Sequence, residues 1–203
     1  MTERLTFFGD PISGNCYKLR LAAEQVGIPY EWQDVDILDG DTQTAEFLSM
    51  NPNGKVPVVR LPDGRVLAES NAILWYLAED SELSGRDRYE RASILEWMCF
   101  EQYSHEPFIA TSRFIIRFQG MPESRRAELE ATRGGGLKAL DVMNRHLADR
   151  PFFANDRYSI ADIALYAYTH VADEGGFDVA PYEYVVAWLD RVSRQPGFVP
   201  MYA

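Results

Sequence analysis

Glu69 and Ser70 stand where a short apolar run, Val66-Leu67-Ala68, gives way to Asn71 and the helical pattern Ala72-Ile73-Leu74-Trp75-Tyr76-Leu77. Ser70 or Asn71 is the expected N-cap of that helix. A helix N-terminus presents unpaired N–H groups at the positive end of the dipole, so this point attracts a carboxylate. Glu69 beside it can accept from an ammonium group. Upstream, Asn51-Pro-Asn-Gly-Lys-Val leads into Pro57 and the β-branched run Val58 to Leu61. A proline at a strand start fixes its own φ and gives up a ladder donor, so the Val56-Pro57 step requires a tight turn, which a cis bond can build. An extended edge after Pro57, a carboxylate hole at Ser70 and an amine acceptor at Glu69 together suit a short peptide with both an amine and a carboxylate.

The elements that must position these residues follow from the pattern around them. Leu5 to Phe8 reads as a buried strand ending at Gly9-Asp10-Pro11. Cys16, Leu19, Ala22, Ala23 and Val26 then fall at helical spacing up to a stop at Gly27. That spacing places Cys16 on the apolar helix face, as a buried structural thiol. Tyr30 to Ile37 is a second strand, Ala45 to Met50 a short helix, and Pro62-Asp63-Gly64 the turn of a hairpin. The order is β-α-β-α-β-β-α over residues 1–80, an α/β thioredoxin-like arrangement with a mixed sheet.

Residues 81–87 are polar and form a linker, and residues 88–203 read as an all-helical domain. One helix is expected from Tyr89 to Phe118, kinked or broken at Pro107. A second, Ser124 to His146, carries Gly134-Gly135-Gly136, a run costing about 1 kcal/mol per glycine against alanine, which implies close packing or a bend. Ser159-Ile160-Ala161-Asp162 has the spacing of a capping box, and Val185 to Val192 is a last amphipathic helix.

Composition narrows the function. A net charge of −11 and a pI near 4.7 argue against nucleic acid, whose phosphates need a basic surface. No apolar run approaches a membrane span, and the start leads directly into a strand, so no membrane association and a cytoplasmic location are expected. The cysteines, Cys16 and Cys99, have neither metal nor CxxC spacing, so no metal is expected.

Asn51-Pro-Asn-Gly-Lys-Val-Pro57 followed by Glu69-Ser70-Asn71-Ala72-Ile73 closely resembles the glutathione site of cytosolic glutathione S-transferases, and the likeness extends over the whole chain. It implies a cis Val56-Pro57 bond, main-chain pairing of Val56 with the cysteinyl part of glutathione, and Glu69 and Ser70 as the clamp on its γ-glutamyl end. Lys55 becomes a candidate for the glycyl carboxylate. Gln43 lies where the family often has His or Lys, so it is a weaker contact. In the serine-type classes the thiol-activating hydroxyl occupies the loop after the first strand, which here is Ser13; no tyrosine lies in that loop. Asn15, two residues after a hydroxyl, resembles the nu class, and its amide is the rival donor to the sulfur. Either residue could instead only cap the helix.

The resemblance implies glutathione as co-substrate, a small hydrophobic electrophile as the second substrate, and a homodimer. The electrophile pocket is expected on the long helix after the linker, from Tyr103, His105, Phe108, Ile109 and Ser112. The leading expectation is a bacterial theta-like or nu-like transferase. The alternatives are a glutathione-dependent disulfide or peroxide reductase and a non-catalytic interaction protein of the same fold.

Overall fold

Strand β1 (Leu5–Gly9) alternates buried Leu5, Phe7 and Gly9 with half-buried neighbours, the period-two pattern of a sheet with unequal faces. In the computed structural model, which describes residues 4–202, β1 is an inner strand of a four-stranded sheet ordered β2-β1-β3-β4. Helix α1 (Gly14–Val26) ends at Gly27, whose φ of 72° lies in the left-handed region. It returns the chain to β2 (Tyr30–Asp34), which runs parallel to β1. A Cβ on Gly9 would sit 2.9 Å from Cys16 Sγ, so α1 approaches β1 closely only because that residue is glycine.

β2 stops at Asp34, short of the expected Ile37. The Asp36 carboxylate accepts from the backbone N–H groups of Leu38 and Asp39 at 2.8 and 3.0 Å, folding the chain into a turn that competes with the ladder. Helix α2 (Ala45–Met50) follows, capped by Thr44. Strands β3 (Val58–Arg60) and β4 (Val66–Ala68) form the antiparallel hairpin, with Gly64 at φ 87° in its turn. Helix α3 (Ser70–Ala78) closes this part and packs on α1.

The chain divides into two compact units, Met1–Ser81 with Pro196–Ala203, and Glu82–Gln195. Residues 196–202, expected to belong to the helical domain, lie instead with the first unit. Tyr17 donates its hydroxyl to Val199 O at 2.7 Å, and Arg20 donates to Met201 O at 2.7 Å and also to Pro200 O. These tertiary bonds have no local signal in the sequence.

The second unit starts with α4 (Arg88–Phe100), whose N-cap Asp87 accepts from Glu90 N. The helix expected to Phe118 with a kink or break at Pro107 is resolved into α4, a π-helical turn at Glu101–His105, α5 (Glu106–Arg113) and a second π turn at Phe114–Phe118, which the pattern does not predict. Pro107 explains the first π turn. Proline has no N–H and its ring collides with the carbonyl one turn back, and a turn widened by one residue absorbs both defects. Helix α6 (Arg126–Leu147) runs unbroken through Gly134, Gly135 and Gly136. A Cβ on Gly135 would lie 2.4 Å from the Phe108 ring and one on Gly136 2.3 Å from the Phe177 ring, while Gly134 has nothing within 4 Å. Close packing, not a bend, accounts for two of the glycines.

Helix α7 (Ile160–Thr169) is buried at every residue, so it is the centre around which the second unit is built. Its capping box is present: Ser159 N donates to Asp162 Oδ2 at 3.0 Å, and Ala161 N donates to Ser159 Oγ at 3.3 Å. Asp162 also accepts from Phe153 N and from Trp188 Nε1 of α8 (Glu183–Ser193), tying loop, α7 and α8 to one carboxylate. Among the described residues no helix is long and apolar enough to cross a membrane.

Candidate functional site

Strand register brings the candidate residues of the first unit together. Phe8 of β1 pairs with Val58 of β3, and Val58 pairs with Ala68 of β4. Because both pairings are antiparallel, the end of β1, the start of β3 and the end of β4 share one edge of the sheet. The residues just beyond those strand ends are the Asp10–Ser13 loop, Pro57, and Glu69 with Ser70. Segments far apart in sequence thus meet at a single edge, which is the physical basis of the site.

Each segment is held locally. Asp10 is buried and accepts from Ile12 N and Ile37 N, both at 3.0 Å, and its carbonyl accepts from Ser13 N at 3.0 Å. Ser13 caps α1: its Oγ accepts from Cys16 N at 3.4 Å. That bond occupies a lone pair, and the hydroxyl proton faces the buried Cys16 thiol, a weak acceptor from which a bound thiolate could draw it. Cys16 is fully buried, and burial pushes its thiol up to about 12, so it has no thiolate to offer near neutral pH.

The Val56–Pro57 peptide bond is cis. Asn51 is buried and organises the loop before it, donating from Nδ2 to Lys55 O at 2.7 Å and accepting from Asn53 N at 3.1 Å. Gln43 lies over the same loop, its Nε2 donating to Gly54 O at 3.4 Å and to Thr42 Oγ1 at 3.2 Å. Gly54, at φ 62°, leaves room for it: a Cβ there would stand 2.6 Å from Gln43 Nε2. Gln43 and Lys55 are exposed and Val56 is half-buried.

The N-cap of α3 is Glu69, not Ser70 or Asn71. Glu69 has φ 68° and ψ 113° and makes no side-chain cap bond, and Ser70 is the first helical residue. A non-glycine residue in that region costs about 1–3 kcal/mol and persists only where its surroundings impose it. Here β4 and α3 on either side fix the backbone, with the Glu69 side chain exposed. Ser70 is buried; its Oγ donates to Asn15 Oδ1 at 3.0 Å and accepts from Lys18 Nζ at 3.2 Å. Asn15 therefore sits beside Ser70, linking the N-terminus of α1 to that of α3.

The five residues expected to line an electrophile pocket separate in the second unit. Tyr103 and Phe108, with Phe100, Gly134, Gly135 and Val142, line a cavity of about 460 Å³ between the Glu101–His105 turn, α5 and α6. His105, Ile109 and Ser112 face the interior and are at most 1% exposed. Thr169 Oγ1 donates to Leu165 O at 2.7 Å, so the 2.9 Å contact with His105 Nε2 makes that nitrogen the donor. Thr132 likewise donates to Leu129 O at 2.6 Å, which leaves Ser112 to donate to Thr132 at 2.5 Å. These three residues serve packing and polar satisfaction within the unit; the helix period alone does not tell which face a π turn will rotate inward.

A mixed thioredoxin-like sheet with a cis-proline turn and two helix N-termini at one edge, followed by a helical unit, defines the class of protein. Residues 12–80 match the glutathione S-transferase N-terminal domain, and residues 97–196 match the glutathione S-transferase C-terminal domain. A crystal structure of a glutathione S-transferase from Pseudomonas fluorescens is 54% identical with a TM-score of 0.95, over 98% of this chain and 99% of that one. A glutathione transferase from Pseudomonas putida, solved with glutathione disulfide bound, is 30% identical with a TM-score of 0.83, over 96% and 89% of the two chains. The disulfide-bond oxidoreductase YfcG of Escherichia coli is 29% identical over 90% of this chain and 87% of its own length. The chain belongs to the cytosolic glutathione S-transferase family.

Asp10, Lys18 and Asn51 have no role assigned from sequence. Asp10 and Asn51 carry a usable signal, a short side chain flanked by proline in a loop, where Asx side chains bond backbone N–H groups. Lys18 carries none, because a lysine within a helix ordinarily reads as solvent-facing.

Proposed function

We propose that the chain is a glutathione transferase that holds the tripeptide along the sheet edge and conjugates its thiolate to small apolar electrophiles. In this reading the γ-glutamyl carboxylate takes the N-terminus of α3 at Ser70, the γ-glutamyl amine meets Glu69, and the Val56 main chain pairs with the cysteinyl residue. Lys55 and Gln43 border the glycyl end. The electrophile falls to the helical unit, with exposed Tyr103 and half-buried Phe108 as candidates.

The observation that carries the reading is Ser13. Its hydroxyl stands at the N-terminus of α1 on the same sheet edge as Ser70, capping through Cys16 N and bonded on its proton side only to the weakly accepting Cys16 thiol, which a bound thiolate would outcompete. A donor in the field of a helix N-terminus stabilises the thiolate over the thiol and lowers the pKa of the bound sulfur. Nucleophilic attack then needs no separate base near neutral pH, because the thiolate is already formed.

A second reading, glutathione-dependent disulfide reduction, is favoured by the likeness to YfcG and to a structure holding glutathione disulfide, and it gives Asn15 the larger part. The two separate in one experiment, the ultraviolet thiolate absorbance of bound glutathione against pH. Transferase chemistry through Ser13 predicts that Ser13→Ala raises the sulfur pKa and slows conjugation with binding little changed, while Asn15→Ala does less and Cys16→Ala nothing. A titration unmoved by Ser13→Ala but displaced by Asn15→Ala overturns the assignment in favour of the reductase. Failure of the wild-type protein to be retained on immobilised glutathione overturns both and leaves the non-catalytic reading.

A further inference from the structure

Lys18 leaves α1 for a fully buried position, where Nζ donates to Ser70 Oγ at 3.2 Å and to Asn71 Oδ1 at 3.3 Å. A lysine normally keeps its ammonium in water, and burying it costs free energy that only good acceptors offset. Both acceptors belong to the first two residues of α3. The long lysine stem thus brings a donor-only group against the underside of the helix N-terminus that the proposed clamp uses.

The consequence for Ser70 follows from counting protons. A hydroxyl has one proton and two lone pairs, and an ammonium has no lone pair to give. Ser70 Oγ therefore meets Lys18 only as an acceptor, and its own proton must point elsewhere. In the structure it goes to Asn15 Oδ1 at 3.0 Å. A carboxylate arriving at the N-terminus of α3 competes with that amide oxygen for a proton Lys18 has already turned away from itself. Donation by the ammonium also polarises the hydroxyl and strengthens its bond to an anion.

We propose that Lys18 is a positioning residue of the glutathione site, which fixes Ser70 as an obligate donor and thereby sets the preference for a ligand carrying a carboxylate at the N-terminus of α3. This rests on the reading of Ser70 as the γ-glutamyl clamp. Lys18 itself does not touch the ligand; its effect passes through Ser70 and Asn71.

The test compares two ligands by calorimetry on the full chain: glutathione, and glutathione whose γ-glutamyl α-carboxylate is a primary amide. A charge-assisted bond predicts that the wild-type protein prefers glutathione by about tenfold or more. In Lys18→Gln the preference should fall to about threefold or less, with affinity for the amide ligand nearly unchanged, whereas Lys18→Arg should keep most of it. A purely structural lysine would weaken both ligands alike in Lys18→Gln, and that result, or an undiminished preference, overturns the proposal. If Lys18→Gln does not fold, the wild-type protein decides: the nitrogen-15 signal of Lys18 Nζ should shift on binding glutathione and not on binding the amide, and equal shifts overturn the proposal. Absence of any glutathione binding by the wild-type chain overturns the clamp reading itself, an outcome distinct from a preference that survives loss of Lys18.

Discussion

Replacing each glycine of Gly134-Gly135-Gly136 by alanine, one at a time, separates two opposing effects in the same turn of α6. All three positions are helical, so each substitution gains the same propensity term, about 1 kcal/mol. They differ in what the new methyl meets. At Gly134 nothing lies within 4 Å, so Gly134→Ala should stabilise the protein by about that full amount. At Gly136 the methyl would stand 2.3 Å from Phe177, whose ring is fully buried and lies against the Arg133 guanidinium at 5.5 Å. Phe177 has little room to retreat, and overpacking of this kind costs about 1–3 kcal/mol. Propensity cancels between the two variants, so the gap between them should equal the steric cost, about 1–3 kcal/mol or about 2–12 °C in Tm for a chain of this size. Gly135→Ala, 2.4 Å from half-buried Phe108, should fall between them, because that ring borders a cavity into which it can turn. Denaturant unfolding of the three variants measures the series. Equal stability of Gly134→Ala and Gly136→Ala would falsify the packing explanation.

Three further outcomes are expected. Glu69→Gln and Ser70→Ala should each weaken glutathione binding by about 1–3 kcal/mol, and unchanged affinity in both by calorimetry would mean that the clamp lies elsewhere. Burial pushes the Asp162 carboxyl up to about 7 against the donors that surround it. Between the usual carboxylate range near 4 and that value the folded chain holds a proton the unfolded chain has released, so its contribution to stability falls as pH rises through this window. The stability of the wild type relative to Asp162→Asn should decline accordingly from pH 4 to about 7, and a difference that is flat or rises refutes the reasoning. The protein should run as a homodimer at twice the 23.2 kDa chain mass in light scattering, and a monomer at micromolar concentration refutes that expectation.

What the sequence discloses depends on how local the cause is. Pro57, the Ser159–Asp162 capping box, the Gly27 stop and the hairpin at Gly64 each follow from a side chain or a φ preference acting over a few residues, and each is found where the pattern puts it. Glu69 as the N-cap is different, because glutamate has no affinity for positive φ and the conformation is imposed by β4 and α3. The π turns are hidden because the apolar period changes by one residue in the middle of an otherwise regular helix. Lys18, buried against α3, and Phe177, seated on Gly136, are pairings across many residues, and single-chain periodicity carries no record of a partner.

Residues 196–202 make the first unit depend on a segment that follows the whole helical unit in the sequence. Helix α1 carries Ser13 at its start, and Tyr17 and Arg20 farther along it bond to carbonyls of Val199, Pro200 and Met201. A Cβ on Gly197 would lie 3.0 Å from Gln25 Cα, so the returning segment runs hard against the same helix. A ribosome that has released residues 1–81 has delivered the whole sheet but not the acceptors that secure α1. The first unit therefore completes its contacts only after the second unit has been synthesised. Cutting the chain at Ser81 would strand Tyr17 and Arg20 without those carbonyls, and the stability of the isolated fragment would report what the last few residues contribute to the N-terminal unit.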